Sequence, residues 1–201
     1  MTTREPSLVP EADADHRTPG VVDDADPWAA ATSPYEREKY DRTLAACGAG
    51  PFTAALALGV GNGGFSARLA GRCTTLTAID FDPTAVALAQ ERLAGLAGVV
   101  VLEGAVPDDL PALGDFDLVV ASEILYHLPD DAFRRTVDRL PRLLRPGGRL
   151  VAVHWSGQAP DLERSATETH RALRVGSGLR PVELPPPSGT RGYLLDAFDM
   201  R

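Results

Sequence analysis

Glycines and one acidic residue stand at the junctions of apolar segments in the first half of the chain. Gly59, Gly61 and Gly63 follow the apolar run 54–58. Because glycine has no Cβ, these positions can adopt a tight strand-to-helix turn and let a nucleoside lie against bare backbone. Asp80 ends the next apolar run, 74–79, where a carboxylate would accept both hydroxyls of a ribose. The spacing predicts a site for a nucleoside cofactor.

The glycine spacing alone leaves two cofactor classes open. Gly59-x-Gly61-x-x-Gly64 fits a dinucleotide fingerprint, whereas Gly59-x-Gly61-x-Gly63 fits an S-adenosylmethionine loop. An NAD-dependent oxidoreductase is the less favoured alternative, because 201 residues leave no room for a second substrate domain.

Further polar residues lie at the ends of later apolar runs and are candidates for catalysis. Glu123 follows the run 118–121, and core packing explains a carboxylate there poorly. His127 comes shortly after it, and His154 precedes Trp155 at the end of another strand-like run. Each histidine could equally be a packed side chain with one satisfied hydrogen bond. The catalytic candidates are therefore Glu123, His127 and His154.

Composition and charge limit the classes of partner. A chain with 44% hydrophobic and 24% charged residues can form one globular domain. The net charge of −8 argues against a nucleic-acid partner held through phosphates and favours a small-molecule substrate. Cys47 and Cys73 have no metal-ligand spacing, and no metal site is predicted. The absence of a signal-like or membrane-spanning segment predicts a cytoplasmic protein without a membrane partner, as a monomer or homodimer.

The order of predicted elements indicates an α/β fold. Residues 1–25 are acidic and proline-dotted, which predicts a disordered tail, and 26–201 would form the domain. A capping signal at Ser33 predicts a helix over about 33–47. Strands are predicted at 53–58, 74–80, 98–103, 116–121, 149–155, 179–184 and 191–198, with helices at 63–70, 83–95, 129–143 and 160–175. Alternation of this kind predicts a Rossmann-like parallel sheet with helices on both faces, and the last two strands predict a hairpin with one antiparallel strand.

The motifs together resemble the class I S-adenosylmethionine-dependent methyltransferases across about 26–200. The resemblance rests on the glycine turn, Asp80 and three later segments: Phe116-Asp117-Leu118-Val119-Val120, Leu143-Leu144-Arg145-Pro146-Gly147-Gly148 and the terminal hairpin. Three shorter segments resemble the NodS-like nodulation-factor N-methyltransferases: Asp26-Pro27-Trp28, Tyr35-Glu36-Arg37-Glu38-Lys39-Tyr40 and Ser122-Glu123-Ile124-Leu125-Tyr126-His127-Leu128. That group methylates the free amine of a deacetylated glucosamine.

The resemblance implies roles for individual residues. S-adenosylmethionine, released as S-adenosylhomocysteine, would be held by Gly59, Gly61, Gly63, Asp80, Phe81, Ala105, Val106, Ser122, Trp28 and Arg37 or Lys39. The substrate would meet Tyr35, Tyr126 and Trp155, and the 33–47 helix would act as a lid. Two positions depart from the family pattern, because Ala57 and Ala105 stand where acids are usual. Backbone groups and packing would then have to recognise the adenine.

The implied reaction is N-methylation of an amino-sugar-like amine. An amine needs less base than an alcohol, which fits the lack of a nucleophilic triad or metal cluster in the sequence. Three alternatives stay open at this point: a small-molecule O-methyltransferase, a cyclase or isomerase on the same fold, and a cofactor-binding scaffold without turnover.

Overall fold

A computed structural model of the chain describes residues 33–111, 113–185 and 192–201. The predicted tail 1–25 and Trp28 lie outside the described residues. Within the described residues the helices are α1 Pro34–Cys47, α2 Gly64–Ala70, α3 Pro83–Leu93, α4 Asp130–Leu143 and α5 Ala166–Gly176. The strands are β1 Phe52–Leu58, β2 Cys73–Asp80, β3 Val99–Glu103, β4 Phe116–Ser122, β5 Leu144–Trp155, β6 Arg180–Val182 and β7 Tyr193–Asp199. A short 3₁₀ turn, Leu125–His127, follows β4.

The strands form one seven-stranded sheet in the order β3-β2-β1-β4-β5-β7-β6. Strands β1 to β5 pair in parallel, and β7 runs antiparallel to both β5 and β6. The order reverses between β1 and β4, which is the switch point where doubly wound sheets bind ligands. The predicted fold class, with a single antiparallel strand, is confirmed.

Alternating residues of the strands build a core on each face. In β1, Ala55 and Ala57 pack into the cluster that includes residues of α1, α2 and α3, and Leu56 and Leu58 pack into the cluster formed with α4 and α5. Strands with apolar side chains on both faces are expected when helices cover both faces of a parallel sheet.

A buried carboxylate explains the acid of the Phe116-Asp117 motif. Asp117, at the start of β4, accepts hydrogen bonds from the backbone N–H groups of Thr53 and Ala54 on β1, and its side chain also pairs with Arg145. The residue therefore joins the amino-terminal ends of β1 and β4, at the edge of the sheet opposite their carboxyl ends.

Several element boundaries differ from the predictions by one or two residues, and two differ by five or more. Helix α5 begins at Ala166 rather than 160, because Ser165 and Glu168 form a reciprocal capping box. Residues 156–165 are thereby left as a connecting segment. Pro146, Gly147 and Gly148 lie within β5 rather than before it, next to a register shift between β4 and β5.

Candidate active site

A cavity of about 770 Å³ opens at the carboxyl ends of the parallel strands. Its wall includes Gly59 after β1, Asp80 at the end of β2, Gly104 after β3, Ser122 at the end of β4 and Trp155 at the end of β5. The volume falls within the range of roughly 300–1,000 Å³ that is typical of small-ligand sites. Gly59 and Asp80, which the sequence predicts to bind a nucleoside, both reach this cavity at the switch point of the sheet.

The glycine turn brings backbone to the cavity where a side chain would obstruct it. Gly59 has φ +79°, and a Cβ there would collide with the carbonyl oxygen of Ser122. Gly61 also lines the cavity and donates its N–H to Asp80 Oδ2 at 3.0 Å. Gly63 differs from the prediction, because it caps α2 at φ 78° and packs against Ala89 without lining the cavity. The third glycine therefore serves the packing of α2 on α3.

Asp80 is the carboxylate that the sequence placed at the ribose. It is 8% exposed and lines the cavity. Oδ2 accepts from Gly61, and Oδ1 accepts the N–H of Asp82 at 3.2 Å. Asp82 itself caps α3 through Thr84. Since a carboxylate oxygen can accept two hydrogen bonds, Asp80 retains acceptor capacity for a vicinal diol.

Apolar groups border the cavity beside Asp80. Phe81 lines it with 67% of its surface exposed, and the buried Val106 and the exposed Ala105 lie beyond the end of β3. The N–H of Ala105 donates to Asp109 Oδ2 at 2.8 Å. Ala57, the other departure from the family pattern, is 3% exposed and does not line the cavity. An exposed aromatic face and backbone at this edge suit a flat heterocycle.

Glu123, directly after β4, lies at the centre of a charged cluster in the cavity wall. Its φ of 53° is in the left-handed region that residues other than glycine rarely adopt. Oε1 accepts from Lys39 Nζ at 3.0 Å, and Oε2 accepts the Trp155 N–H at 2.8 Å and the Tyr126 hydroxyl. Lys39 also contacts Glu36 Oε1 at 2.8 Å. The contacts hold a strained backbone in place.

These contacts fix the charges of the cluster. Burial alone would raise the pKa of the Glu123 carboxyl, but the Lys39 ammonium and the hydrogen bonds from Tyr126 and Trp155 lower it to about 2. Burial opposes the charge of Lys39, yet Glu123 and Glu36 raise its pKa above the usual value. Burial and the neighbouring Glu123 also raise the pKa of Tyr126, so it stays a neutral donor. Glu123 is therefore an anion at any physiological pH and a weak base.

The cavity wall carries an excess of negative charge. Among the described residues it contains five carboxylates and one ammonium, that of Lys39. The carboxylates belong to Glu36, Asp80, Asp82, Glu123 and Asp161. A wall of this kind favours cationic over anionic ligands.

His127 lines the cavity and pairs with a residue that the sequence did not single out. Its Nδ1 lies 3.1 Å from Asp161 Oδ2 and 3.2 Å from the Asp161 carbonyl oxygen. The Tyr126 ring packs against the imidazole edge to face, with centroids 4.5 Å apart. The predicted candidate thus reaches the cavity.

His154 was predicted to reach the same rim, and the structure places it elsewhere. It is fully buried and does not line the cavity. Its Nε2 accepts the Leu125 N–H at 3.2 Å, and its Nδ1 lies 3.1 Å from Nε2 of His170. The Nδ1 of His170 lies in turn 2.9 Å from Asp196 Oδ2. Burial lowers the pKa of His154 well below its usual value. It is a neutral support beneath the 3₁₀ turn.

Two residues of α1 also lie outside the cavity wall. Arg37 is exposed and is absent from the cavity wall. Tyr35 is half-buried against Tyr193 and donates its hydroxyl to the Gly192 carbonyl at 3.1 Å. Neither position supports the contacts predicted for it.

The sequence reasoning missed several cavity residues. Glu36 and Tyr40 lie on the face of α1 that Lys39 occupies, so helical spacing from Lys39 could have found them. Asp161 could not be found that way, because the predicted helix 160–175 placed it in regular structure. Among the described residues there is no metal-binding cluster and no helix long and apolar enough to cross a membrane. Burial raises the pKa of Cys47 to about 12 and of Cys73 to about 11, which keeps both thiols protonated.

Comparison with known proteins identifies the family. Residues 55–148 match the methyltransferase domain family. Nodulation protein S from Rhizobium tropici is 36% identical over 131 residues, which are 63% of this chain and 53% of that protein, so the chain spans about half of its length. An uncharacterized methyltransferase from Mycobacterium bovis is 31% identical over 141 residues, covering 66% of this chain and 69% of that protein.

A solved structure agrees with the sequence relatives. The N-methyltransferase NodS from Bradyrhizobium japonicum, in complex with S-adenosyl-l-homocysteine, superposes with a TM-score of 0.78 at 28% identity. The match covers 89% of this chain and 93% of that one. The glycine turn, Asp80 and the sheet order thus occur in a chain whose relatives are methyltransferases. This chain belongs to the class I S-adenosylmethionine-dependent methyltransferases, in the group related to nodulation protein S.

Proposed function

We propose that this protein transfers a methyl group from S-adenosylmethionine to the primary amine of a small polar molecule of the amino-sugar class. The observation that carries the proposal is the charge of the cavity wall, with five carboxylates and one ammonium among the described residues. An acceptor amine arrives as an ammonium, and such a wall attracts it while repelling phosphorylated or carboxylated competitors.

The cofactor half of the cavity would lie along β1 to β3. Gly59 and Gly61 provide backbone for close approach, and Asp80 would accept the ribose hydroxyls with its remaining acceptor capacity. Phe81, Ala105 and Val106 would border the adenine, and Ser122 would lie next to the methionine end. When bound, the cofactor supplies an electrophilic methyl group on a positively charged sulfur.

Lys39 would approach the cofactor carboxylate only through its third hydrogen. An ammonium has three donors, and Glu36 and Glu123 each take one. Arg37 is exposed and does not line the cavity, so the anchoring of the cofactor carboxylate would fall to Lys39 and to backbone N–H groups of the glycine turn.

The acceptor half would be formed by Glu123, Tyr126, His127 and Trp155. Glu123 is too acidic to remove a proton efficiently, because its pKa is about 2. Its charge instead orients the ammonium and holds Lys39 and Tyr126 in place. His127 presents its imidazole to this half, with Nδ1 against Asp161. Positioning and exclusion of water supply the rest of the rate acceleration.

Helix α1 would act as a lid over the site. It contributes Glu36, Lys39 and Tyr40 to the cavity wall, and its Lys39 pairs with Glu123 at the end of β4. A lid joined to the acceptor half by a buried ion pair would exclude water once ligands are bound.

The test of the proposed function has two stages. Calorimetric titration should show binding of S-adenosylhomocysteine and none of NAD, and binding of NAD alone would overturn the cofactor assignment. A methyl-transfer screen would then offer glucosamine-type amines beside their N-acetylated and hydroxyl counterparts, with products identified by mass spectrometry. Transfer to the free amines is the expected result. Transfer only to hydroxyl acceptors would make the protein an O-methyltransferase.

Three expectations about the cellular context remain predictions of the same proposal. The protein would work in the cytoplasm as a monomer or homodimer, on a small molecule rather than a nucleic acid. The net charge of −8 supports the last point. Light scattering of the purified chain would decide its oligomeric state.

A further inference from the structure

The segment 156–165 between β5 and α5 forms a wall of the acceptor half and is fastened to the 3₁₀ turn after β4. The backbone N–H of Glu163 donates to the Tyr126 carbonyl at 3.0 Å. Arg164 donates to the Leu125 carbonyl at 3.0 Å, and its guanidinium lies 4.1 Å from the centroid of the Phe133 ring. These contacts hold the segment beside the turn that carries His127. Asp161 is the residue of the segment that contacts the imidazole.

The contact between Asp161 and His127 determines where the imidazole carries its proton. Nδ1 of His127 faces two oxygens of Asp161, the carboxylate Oδ2 at 3.1 Å and the main-chain carbonyl at 3.2 Å. Both oxygens are acceptors, so Nδ1 must be the protonated nitrogen. In the neutral ring Nε2 then carries the lone pair and is the basic nitrogen.

The second histidine near the cavity cannot do the same. His154 uses Nε2 as the acceptor for the Leu125 N–H and Nδ1 for His170, and it lies beneath the cavity wall. Of the two histidines near the acceptor half, His127 alone lines the cavity with a basic nitrogen left over after its structural contacts, and it owes that state to Asp161.

We propose that Asp161 is a positioning residue that holds His127 as the Nδ1–H tautomer, so that His127 Nε2 accepts the proton of the acceptor ammonium. This inference rests on the proposed function and deepens it. The N–H bond of the ammonium breaks, the proton moves to Nε2, and the imidazolium is stabilised by the Asp161 carboxylate. The released lone pair forms the N–CH₃ bond while the S–CH₃ bond breaks with its electrons left on sulfur. The imidazolium then returns its proton to water.

Other polar groups lie near the imidazole. The Tyr126 ring packs against it, and His154 on β5 packs against the same Tyr126 ring with centroids 4.9 Å apart. Glu123 accepts the Tyr126 hydroxyl, and the Lys39 ammonium on α1 is paired with Glu36 and Glu123. Arg164 is directed to the Leu125 carbonyl and Asp130. The contact with Asp161 is the one made directly to a ring nitrogen.

The experiment compares the unsubstituted protein with Asp161→Asn and His127→Gln, and uses Glu163→Gln as the matched control. Glu163 lies in the same segment, its side chain is exposed and outside the cavity wall, and its backbone contact is unaffected by the substitution. The measurements are kcat and KM with a glucosamine-type amine, the dissociation constant for S-adenosylhomocysteine, the melting temperature, and the tautomer of His127 by ¹⁵N NMR.

We expect His127→Gln to lower kcat about 100-fold, because the base is lost. We expect Asp161→Asn to lower kcat about 10-fold and to shift His127 away from the Nδ1–H tautomer, because the amide can no longer act as the anionic acceptor for Nδ1–H. Binding of S-adenosylhomocysteine and the melting temperature should stay close to wild type, as should every property of Glu163→Gln.

Three results would overturn the inference. An Asp161→Asn enzyme with the wild-type kcat and the wild-type tautomer of His127 would remove Asp161 from the reaction. An Asp161→Asn enzyme whose melting temperature and cofactor affinity fall together with its rate would show that Asp161 only anchors the segment. An Nε2–H tautomer in the wild type would contradict the assigned proton position. If the wild type binds cofactor yet methylates no amine, the proposed function fails, and an Nδ1–H tautomer that is lost in Asp161→Asn would still support the pairing.

Discussion

Replacing Glu123 by glutamine tests the charged cluster that joins α1 to the sheet. The substitution keeps the shape of the side chain but removes the charge that Lys39 and Tyr126 contact. Lys39 would retain Glu36 as its single carboxylate partner in the cluster, with only 4% of its side chain exposed. A buried ammonium that loses half of its compensation destabilises the folded state.

The size of the effect follows from the pKa of Glu123. Its usual value is 4.5 and the folded protein lowers it to about 2, while the side chain is only 23% exposed. A difference of this size corresponds to about 3 kcal/mol of folding free energy at neutral pH. Because the folded pKa is depressed, this contribution is fully present above about pH 4.5 and is lost as the pH falls toward 2.

The assay is urea denaturation of the wild type and Glu123→Gln at pH 7, 5 and 3.5. The difference in the free energy of unfolding should be about 3 kcal/mol at pH 7 and 5, and about 1 kcal/mol smaller at pH 3.5. Taking the difference at each pH cancels the titration of other groups. Glu91→Gln, at an exposed carboxylate on α3, is the control and should change stability by less than about 0.5 kcal/mol. A Glu123→Gln difference as small as the control, or one that does not shrink at pH 3.5, would refute the reasoning.

Three further predictions concern the cofactor, the lid and the buried histidine. Asp80→Ala should weaken binding of S-adenosylhomocysteine by about 1–3 kcal/mol in calorimetry, because hydrogen bonds to the ribose are lost. The control Asp138→Ala, on the exposed side of α4, should leave the dissociation constant unchanged. Equal affinities for the two variants would remove Asp80 from the site. Amide hydrogens of α1 (Pro34–Cys47) should exchange more slowly when S-adenosylhomocysteine is added, and equal exchange rates would mean that α1 is a docked structural helix rather than a lid. Because burial lowers the pKa of His154, its contribution to stability is present above the unfolded value of 6.5 and declines below it, by at most about 1.4 kcal/mol per pH unit. His154→Gln should therefore flatten the fall in unfolding free energy between pH 6.5 and 5, and a slope identical to wild type would contradict the assignment.

Much of the fold was predictable because local signals and global topology agree. Ser33 and Asp82 start α1 and α3 as their capping chemistry requires. The start of α5 differs from the prediction, because the capping box of Ser165 and Glu168 begins the helix later than 160. The segment before it is positioned by hydrogen bonds to the Tyr126 and Leu125 carbonyls, which no local pattern indicates.

The site was predictable to the level of position but not of chemistry. Gly59, Gly61, Asp80 and Glu123 reach the cavity because residues at the carboxyl ends of parallel strands converge on one edge of the sheet. The spacing and the family resemblance both imply a cofactor contact for Gly63, whereas its backbone conformation serves the packing of α2 on α3. A glycine motif identifies the turn without saying which glycine faces the ligand.

Periodicity, turn residues and the family motifs were enough to predict the family, the α/β class of the fold and the glycine turn with Asp80 as a nucleoside site, because these signals lie in short stretches of chain. The charge and proton state of the site could be read only from the folded chain. Lys39 and Glu123 are 84 positions apart, and His127 and Asp161 are 34 apart. The protonation state of an ionisable group depends on its burial and on charges within a few ångströms. Such neighbours come together only when the chain has folded.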